Sequence, residues 1–82
     1  MTKRYKLSRP ITQKYKLTNL TRSYRGRTLH RIQAMISFND VTVGDLGGWV
    51  ESYDNLSQFD NCWIYDNAQV YGNAKVSRDA TV

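Results

Sequence analysis

The chain has 82 residues, which is enough for one small domain and too few for two. Hydrophobic residues make up 40% and aromatic residues 12%, a composition that excludes a disordered chain. The single cysteine excludes an internal disulfide, and no apolar run approaches the roughly 20 residues that a membrane span needs. The basic N-terminus lacks the apolar segment of a signal peptide, so we expect a cytoplasmic protein.

The formal charge of +5 is unevenly distributed along the chain. Residues 1–39 contain ten Lys or Arg and no acid, whereas residues 40–82 contain all seven acids and only two cations. A basic half joined to an acidic half makes a strongly dipolar molecule. This distribution favours an acidic partner at the basic end.

The first part of the basic half predicts strands. A short strand is expected at about residues 3–7, followed by a bend at Pro10. Residues 14–24 are rich in β-branched and aromatic side chains, which favours a second strand. Residues 25–27 then predict a turn, in which Gly26 supplies a positive φ.

Residues 28–38 complete the predicted hairpin, because apolar and polar side chains alternate there with the period of a half-buried strand. The hairpin would carry a strongly basic outer face. A short helix over 29–36 is the alternative, since Leu29, Ile32 and Ile36 also fit a helical stripe. The Gly-rich residues 39–48 form a joint to the second half.

The end of the chain repeats every six residues from residue 60 onward, and residues 54–59 are a degenerate first hexad. The first two positions of each hexad favour Asp, Asn or Gly, which suits a corner with left-handed backbone. Two columns should face inward. The third position is small, with Cys62, Ala68, Ala74 and Ala80. The fifth position is β-branched, with Ile64, Val70, Val76 and Val82.

Three such faces make one triangular coil of about 18 residues, as in parallel β-helices. We therefore predict an all-β single domain over residues 1–82, with a basic β cap and Gly-rich joint at 1–48 and a hexapeptide-repeat β-helix at 49–82. A plain antiparallel meander is the alternative. Because the repeats stop at Val82, an inward position, we expect a second copy or a partner to cover the open C-terminal coil.

Two motifs of the second half are distinctive: Gly47-Gly48-Trp49-Val50 and Asn55-Leu56-Ser57-Gln58. With the stretch at 26–34, they resemble the start of the YdcK-type family of bacterial and phage-borne proteins. The resemblance covers about residues 24–82. It implies an N-terminal β cap and a left-handed β-helix of hexapeptide repeats. Longer members continue for many coils, and the family implies no catalytic residues.

The chemistry-bearing residues favour a protein that is not an enzyme. His30 lies in the hairpin, outside the repeats, and we interpret it as a surface or half-buried strand residue. Cys62 occupies a column otherwise held by alanine, so we interpret it as a small core residue. The recurring aspartates are interpreted as corner residues. We expect no cofactor and no metal ion.

The hypothesis is a protein-binding module with an acidic host partner, and its size and phage-type resemblance suggest an inhibitor of a bacterial defence complex, as anti-CRISPR proteins are. A first group of candidate contacts lies near the hairpin tip: Arg22, Tyr24, Arg25, Arg27 and Arg31. A second group is expected to be exposed on one side of the coil: Trp63, Tyr65 and Tyr71. One alternative is nucleic-acid binding through the basic hairpin, with Tyr5, Tyr15 and Tyr24 stacking on bases. The other is self-assembly.

Overall fold

A computed structural model describes residues 13–82 as a mostly β protein, as the sequence predicts. Four strands form one mixed sheet in chain order. They are β1 (Tyr15–Tyr24), β2 (Arg27–Ala34), β3 (Leu46–Val50) and β4 (Gln69–Val70). One turn of 3-10 helix, Tyr53–Asn55, follows β3. The predicted strand at 3–7 and the bend at Pro10 lie outside the described residues.

The predicted hairpin is formed by β1 and β2, which pair antiparallel. Tyr24 lies opposite Arg27, so the connection is a two-residue loop. Arg25 and Gly26 have φ values of 52° and 79°, as a type I′ hairpin turn requires at both central positions. The alternative of a helix over 29–36 is wrong, because residues 27–34 pair as a strand on both sides.

The hairpin has an irregularity in the middle of β1. Its register shifts between Leu17 and Thr21, so that β1 carries extra residues there relative to β2. The Thr18 hydroxyl donates to the Arg31 carbonyl at 2.8 Å, and it accepts from the Leu20 amide at 3.2 Å. The bulge therefore separates a base of the hairpin, near Tyr15, from its tip.

The sheet continues from the hairpin into the second half of the chain. β3 pairs antiparallel with β2, and β4 pairs parallel with β3. Two further parallel bridges join Leu56 to Val76 and Trp63 to Thr81. The alternative of an antiparallel meander is therefore wrong for residues 49–82, because the described pairings between residues of this segment are parallel.

The hexad corners have the predicted left-handed backbone. Asp60, Asp66, Gly72 and Arg78, each six residues after the last, have φ values of 62°, 53°, 64° and 58°. A backbone hydrogen bond closes three of these corners, from the Ala68, Ala74 and Ala80 amides to the carbonyls three residues earlier, at 3.1 to 3.2 Å. The prediction of left-handed first positions is confirmed for the four hexads from residue 60 onward and is wrong for Asp54, which lies in the 3-10 helix.

The core lies beneath one face of the sheet and between the parallel segments. The predicted β-branched column is buried at Ile64, Val70 and Val76, and the small column is buried at Cys62. The prediction is wrong for the last members of both columns: Ala74, Ala80 and Val82 are exposed. They lie in the outermost described layer, which has protein on one side only.

Candidate functional site

Strand alternation brings most of the first group of predicted contact residues to one face of the sheet. Along β2, Arg27, Leu29 and Arg31 share the face opposite the main core. Tyr24 lies across from Arg27, and Arg22 lies across from Leu29, so both side chains share that face. We call this surface the arginine–aromatic layer, and it comprises Arg22, Tyr24, Arg25, Arg27, Arg31, Trp49 and Tyr71.

Trp49 is the centre of the arginine–aromatic layer. It lies opposite Arg31 in the β2–β3 register. The Arg22 and Arg31 guanidinium carbons lie 4.1 and 5.2 Å from the centroid of its ring. These two stacked cations leave the indole only 7% exposed. Stacking of this kind holds a guanidinium in place while its N–H edge can still bind a carboxylate or phosphate.

A second cluster in the layer joins the hairpin tip to the hexads. The rings of Tyr24 and Tyr71 pack at 5.4 Å, and Arg27 lies 5.4 Å from the Tyr71 ring. Arg27 also forms an ion pair of 2.8 Å with Glu51. The Glu51 carboxylate accepts from the Gly72 amide at 2.8 Å, and this bond, with Arg27, lowers the pKa of Glu51. These contacts connect the hairpin tip to the hexad corner at Gly72.

The layer retains unused hydrogen-bonding capacity. The Arg31 Nε–H and the Trp49 Nε1–H are buried and have no acceptor among the described residues. Arg31 bonds instead through its other nitrogens, to the Asp66 carbonyl at 3.2 Å and the Asn67 side chain at 3.4 Å. Arg22 makes one long bond of 3.5 Å to Gln69. These two buried donors are exceptions to the usual pairing of buried polar groups with hydrogen-bond acceptors.

The second group of predicted contact residues does not lie on one exposed side. The prediction that Trp63 is exposed is wrong, because its indole is 2% exposed. Trp63 packs edge-on against Tyr15 and Phe38 and fits closely over Gly47, where any Cβ would lie 2.7 Å from the ring. Its size and apolar body fill the space between hairpin and hexads.

The two tyrosines of that group have separate environments. Tyr65 is half-buried, and its hydroxyl donates to the Asp40 carboxylate at 2.7 Å. That hydrogen bond raises the pKa of Tyr65, since it stabilises the protonated phenol. Tyr71 instead joins Tyr24 and Arg27 in the arginine–aromatic layer. The structure therefore unites Tyr71 with the first group.

Sequence reasoning missed a buried lysine at the start of the hairpin. Lys14 is 1% exposed, and its ammonium donates to the carbonyls of Phe59, Asp60 and Cys62 at 2.8 to 3.2 Å. Cys62 Sγ lies 3.2 Å from the same nitrogen. Nothing in the local sequence indicates that this lysine is buried and surrounded by backbone carbonyl groups. Lys14 therefore fixes the hairpin base onto a hexad corner.

The Asn55-Leu56-Ser57-Gln58 motif has a structural role. The buried Asn55 side chain accepts from the amides of Glu51 and Ser52, and it donates to the carbonyls of Gly72 and Ala74 at 3.2 and 2.8 Å. Its four hydrogen bonds connect two successive layers of the repeat region. Such full satisfaction explains a buried amide without any ligand.

The remaining chemistry-bearing residues are separate from one another. His30 is half-buried on β2, and its Nδ1 lies 3.2 Å from the Thr18 carbonyl. Cys62 is a buried free thiol, as predicted for a small core residue. Across residues 13–82, no three His, Cys, Asp or Glu side chains come close enough to share a metal ion.

Comparison with known proteins adds no identification. No protein-family model matches the chain, and no curated protein is significantly similar to it. Within the described part of the chain, no helix has the length and apolar character to cross a membrane.

Proposed function

We propose that this protein is a non-enzymatic binding module that recognises an acidic segment of another protein through the arginine–aromatic layer. This proposal is supported by the two arginines that lie over the Trp49 ring, and by the buried Arg31 Nε–H and Trp49 Nε1–H, which have no acceptor in the described part of the chain. Carboxylates fit this arrangement, because a guanidinium edge binds them through two parallel hydrogen bonds.

The geometry of the arginine–aromatic layer favours a protein partner rather than a single-stranded nucleic acid. Base stacking needs open aromatic faces. Here Trp49 is covered by two arginines, Arg27 lies over Tyr71, and Tyr15, a candidate stacking residue, is fully buried. Phosphates of a duplex remain the competing ligand, since guanidinium groups bind them equally well.

We also propose that residues 49–82 form a short left-handed β-helix of the YdcK type. The six-residue spacing of left-handed corners supports it. The parallel partners also support it, because Trp49 and Gln69, Leu56 and Val76, and Trp63 and Thr81 are separated by about one 18-residue coil. In this architecture the coil presents Tyr71 and Glu51 to the hairpin tip, which completes the binding layer.

The proposed partner is a subunit of a bacterial defence complex in the cytoplasm, and the proposed action is inhibition by occupation of a protein surface. The small size, the strongly basic half and the phage-type resemblance support this role. Recovery of one defined complex from bacterial lysate at moderate salt would agree with it. Recovery of nucleic acid alone, or self-association without a partner, would contradict it.

The binding chemistry is tested with two labelled probes of equal net charge, a Glu-rich peptide and a short DNA duplex. Fluorescence anisotropy measures their affinity for the wild type and for the double variant Arg22→Gln/Arg31→Gln. We expect the wild type to prefer the peptide. The double variant should lose about tenfold or more of the peptide affinity, since charge-assisted hydrogen bonds each contribute about 1.5–3 kcal/mol.

The matched control is Lys75→Gln/Arg78→Gln, which removes two exposed cations outside the layer. It should bind the peptide nearly as well as the wild type. Arg22→Lys keeps the charge without the planar stack and should show an intermediate loss, which guards against a misfolded double variant. Equal losses in both double variants, or tighter binding of the duplex, would overturn the proposal.

A further inference from the structure

The strand β1 is one edge of the described sheet, because the strand order begins with it. An edge strand presents backbone N–H and C=O groups that another extended chain can pair with. The bulge at residues 18–20 divides this edge into two halves, and the hydrogen bonding of their outward backbone groups differs.

The half near the hairpin base is closed by side chains. The Gln58 amide accepts from the Lys14 and Tyr15 backbone N–H groups at 2.8 and 3.1 Å, and it donates to the Tyr15 carbonyl at 3.1 Å. The Tyr53 hydroxyl accepts from the Leu17 amide at 3.2 Å. These contacts occupy the positions that a neighbouring strand would use.

The outward edge of the half near the tip is not paired with any other described segment. A two-residue hairpin loop is closed by a hydrogen-bonded pair, here Tyr24 with Arg27, so the backbone groups of Thr21 and Ser23 point away from β2. Within residues 13–82 no hydrogen bond reaches these outward groups. Thr21, Arg22 and Ser23 are exposed, so an extended segment can approach them.

The chemistry beside the open half identifies the segment. Arg22 and Tyr24 alternate with Thr21 and Ser23, so they point to the arginine–aromatic layer. A strand added next to β1 would place every second side chain on that same face, close to Arg22 and to the exposed Arg25 at the tip. Among the described residues, neither Arg22 nor Arg25 forms an ion pair with an acid of the same chain.

We propose that the acidic partner binds as an added β-strand along Thr21–Tyr24, with carboxylates at alternate positions over the arginine–aromatic layer. This inference rests on the proposed function and specifies the conformation of its ligand. Backbone pairing provides affinity in such complexes, and the alternating side chains provide specificity. Gln58 and the bulge stop the added strand from extending toward the hairpin base.

The test uses a peptide of alternating Glu and Thr and two analogues, each N-methylated at every second residue in one of the two phases. All three carry the same charge. Strand addition predicts that one analogue loses about tenfold or more in affinity while the other binds like the parent peptide. Equal binding by all three would overturn strand addition but not the proposed function, whereas no binding by any would overturn both.

A protein variant provides the reciprocal test. Ser23→Pro removes an outward N–H and leaves the hairpin hydrogen bonds in place, as proline on an edge strand does. We expect about a tenfold loss of peptide affinity, and Ser23→Ala should bind like the wild type. Amide exchange should show Thr21 and Ser23 protected only when the peptide is bound. Protection in the unbound protein would show that the edge is already occupied and would overturn the proposal.

Discussion

At the scale of single residues, Tyr15 shows how the hairpin base is locked to the repeats. Its ring is fully buried, and its hydroxyl donates to the carbonyls of Leu56 and Tyr53. Burial is the largest cause of a strongly raised pKa for the Tyr15 phenol, with the charges of neighbouring groups adding to it. The folded protein therefore holds the Tyr15 proton where the unfolded chain would release it.

This difference predicts a pH-dependent stability. Below about pH 10 the phenol is protonated in both states, and its contribution is complete. Above that pH only the unfolded chain releases the proton, so the free energy of unfolding falls, by about 1.4 kcal/mol at pH 11. Urea denaturation of the wild type and Tyr15→Phe from pH 8 to 11 measures it. The variant should lack this part of the decline, and identical slopes would contradict the assignment.

At the scale of elements, two glycines are needed for different reasons, one for its backbone conformation and one for close packing. Gly72 has a φ of +64° and nothing closer than 3.8 Å to an added Cβ, so it serves only the left-handed corner. Gly48 lies where β3 meets the hexads, and a Cβ there would be 2.5 Å from the Ala68 carbonyl oxygen. Backbone atoms cannot yield to such a contact as a flexible side chain can.

We therefore expect different effects from the same substitution. Gly72→Ala should lower the free energy of unfolding by about 1 kcal/mol, the usual penalty for a left-handed L-residue. Gly48→Ala should lower it by about 3 kcal/mol or more, because the sheet must separate from the hexad that follows Ile64. Chemical denaturation at neutral pH compares the two. A neutral Gly48→Ala would show that β3 does not pack as closely as described.

The elements also show what a sequence of this kind can predict. The hairpin, its turn and the left-handed corners follow from local patterns, because Gly26 and the hexad aspartates specify backbone conformation over a few residues. The burial of Trp63 and the cage around Lys14 depend on contacts between distant segments. Local periodicity contains no information about which large side chain fills such a space.

At the scale of the whole molecule, the two oppositely charged halves are joined through the arginine–aromatic layer. Arg27 pairs with Glu51, and Arg31 bonds to the corner at Asp66 and Asn67. The sequence predicts the separation of charge between the two halves. It does not predict these contacts between them, which depend on how the sheet continues from β2 to β4. Part of the basic face is thereby neutralised internally. Arg22, Arg25 and Arg27 are the exposed cations of the layer, and of these three only Arg27 forms an ion pair among the described residues.

If the arginine–aromatic layer binds an acidic protein segment, as we propose, the two tryptophans provide a direct internal comparison. Trp49 lies in the layer and its Nε1–H has no acceptor among residues 13–82, whereas Trp63 is buried in the core. Titration of the ¹⁵N-labelled protein with the Glu–Thr peptide should shift the indole N–H signal of Trp49 and leave that of Trp63 in place. A shift of Trp63 with Trp49 unchanged, or no shift of either at saturating peptide, would contradict this proposal.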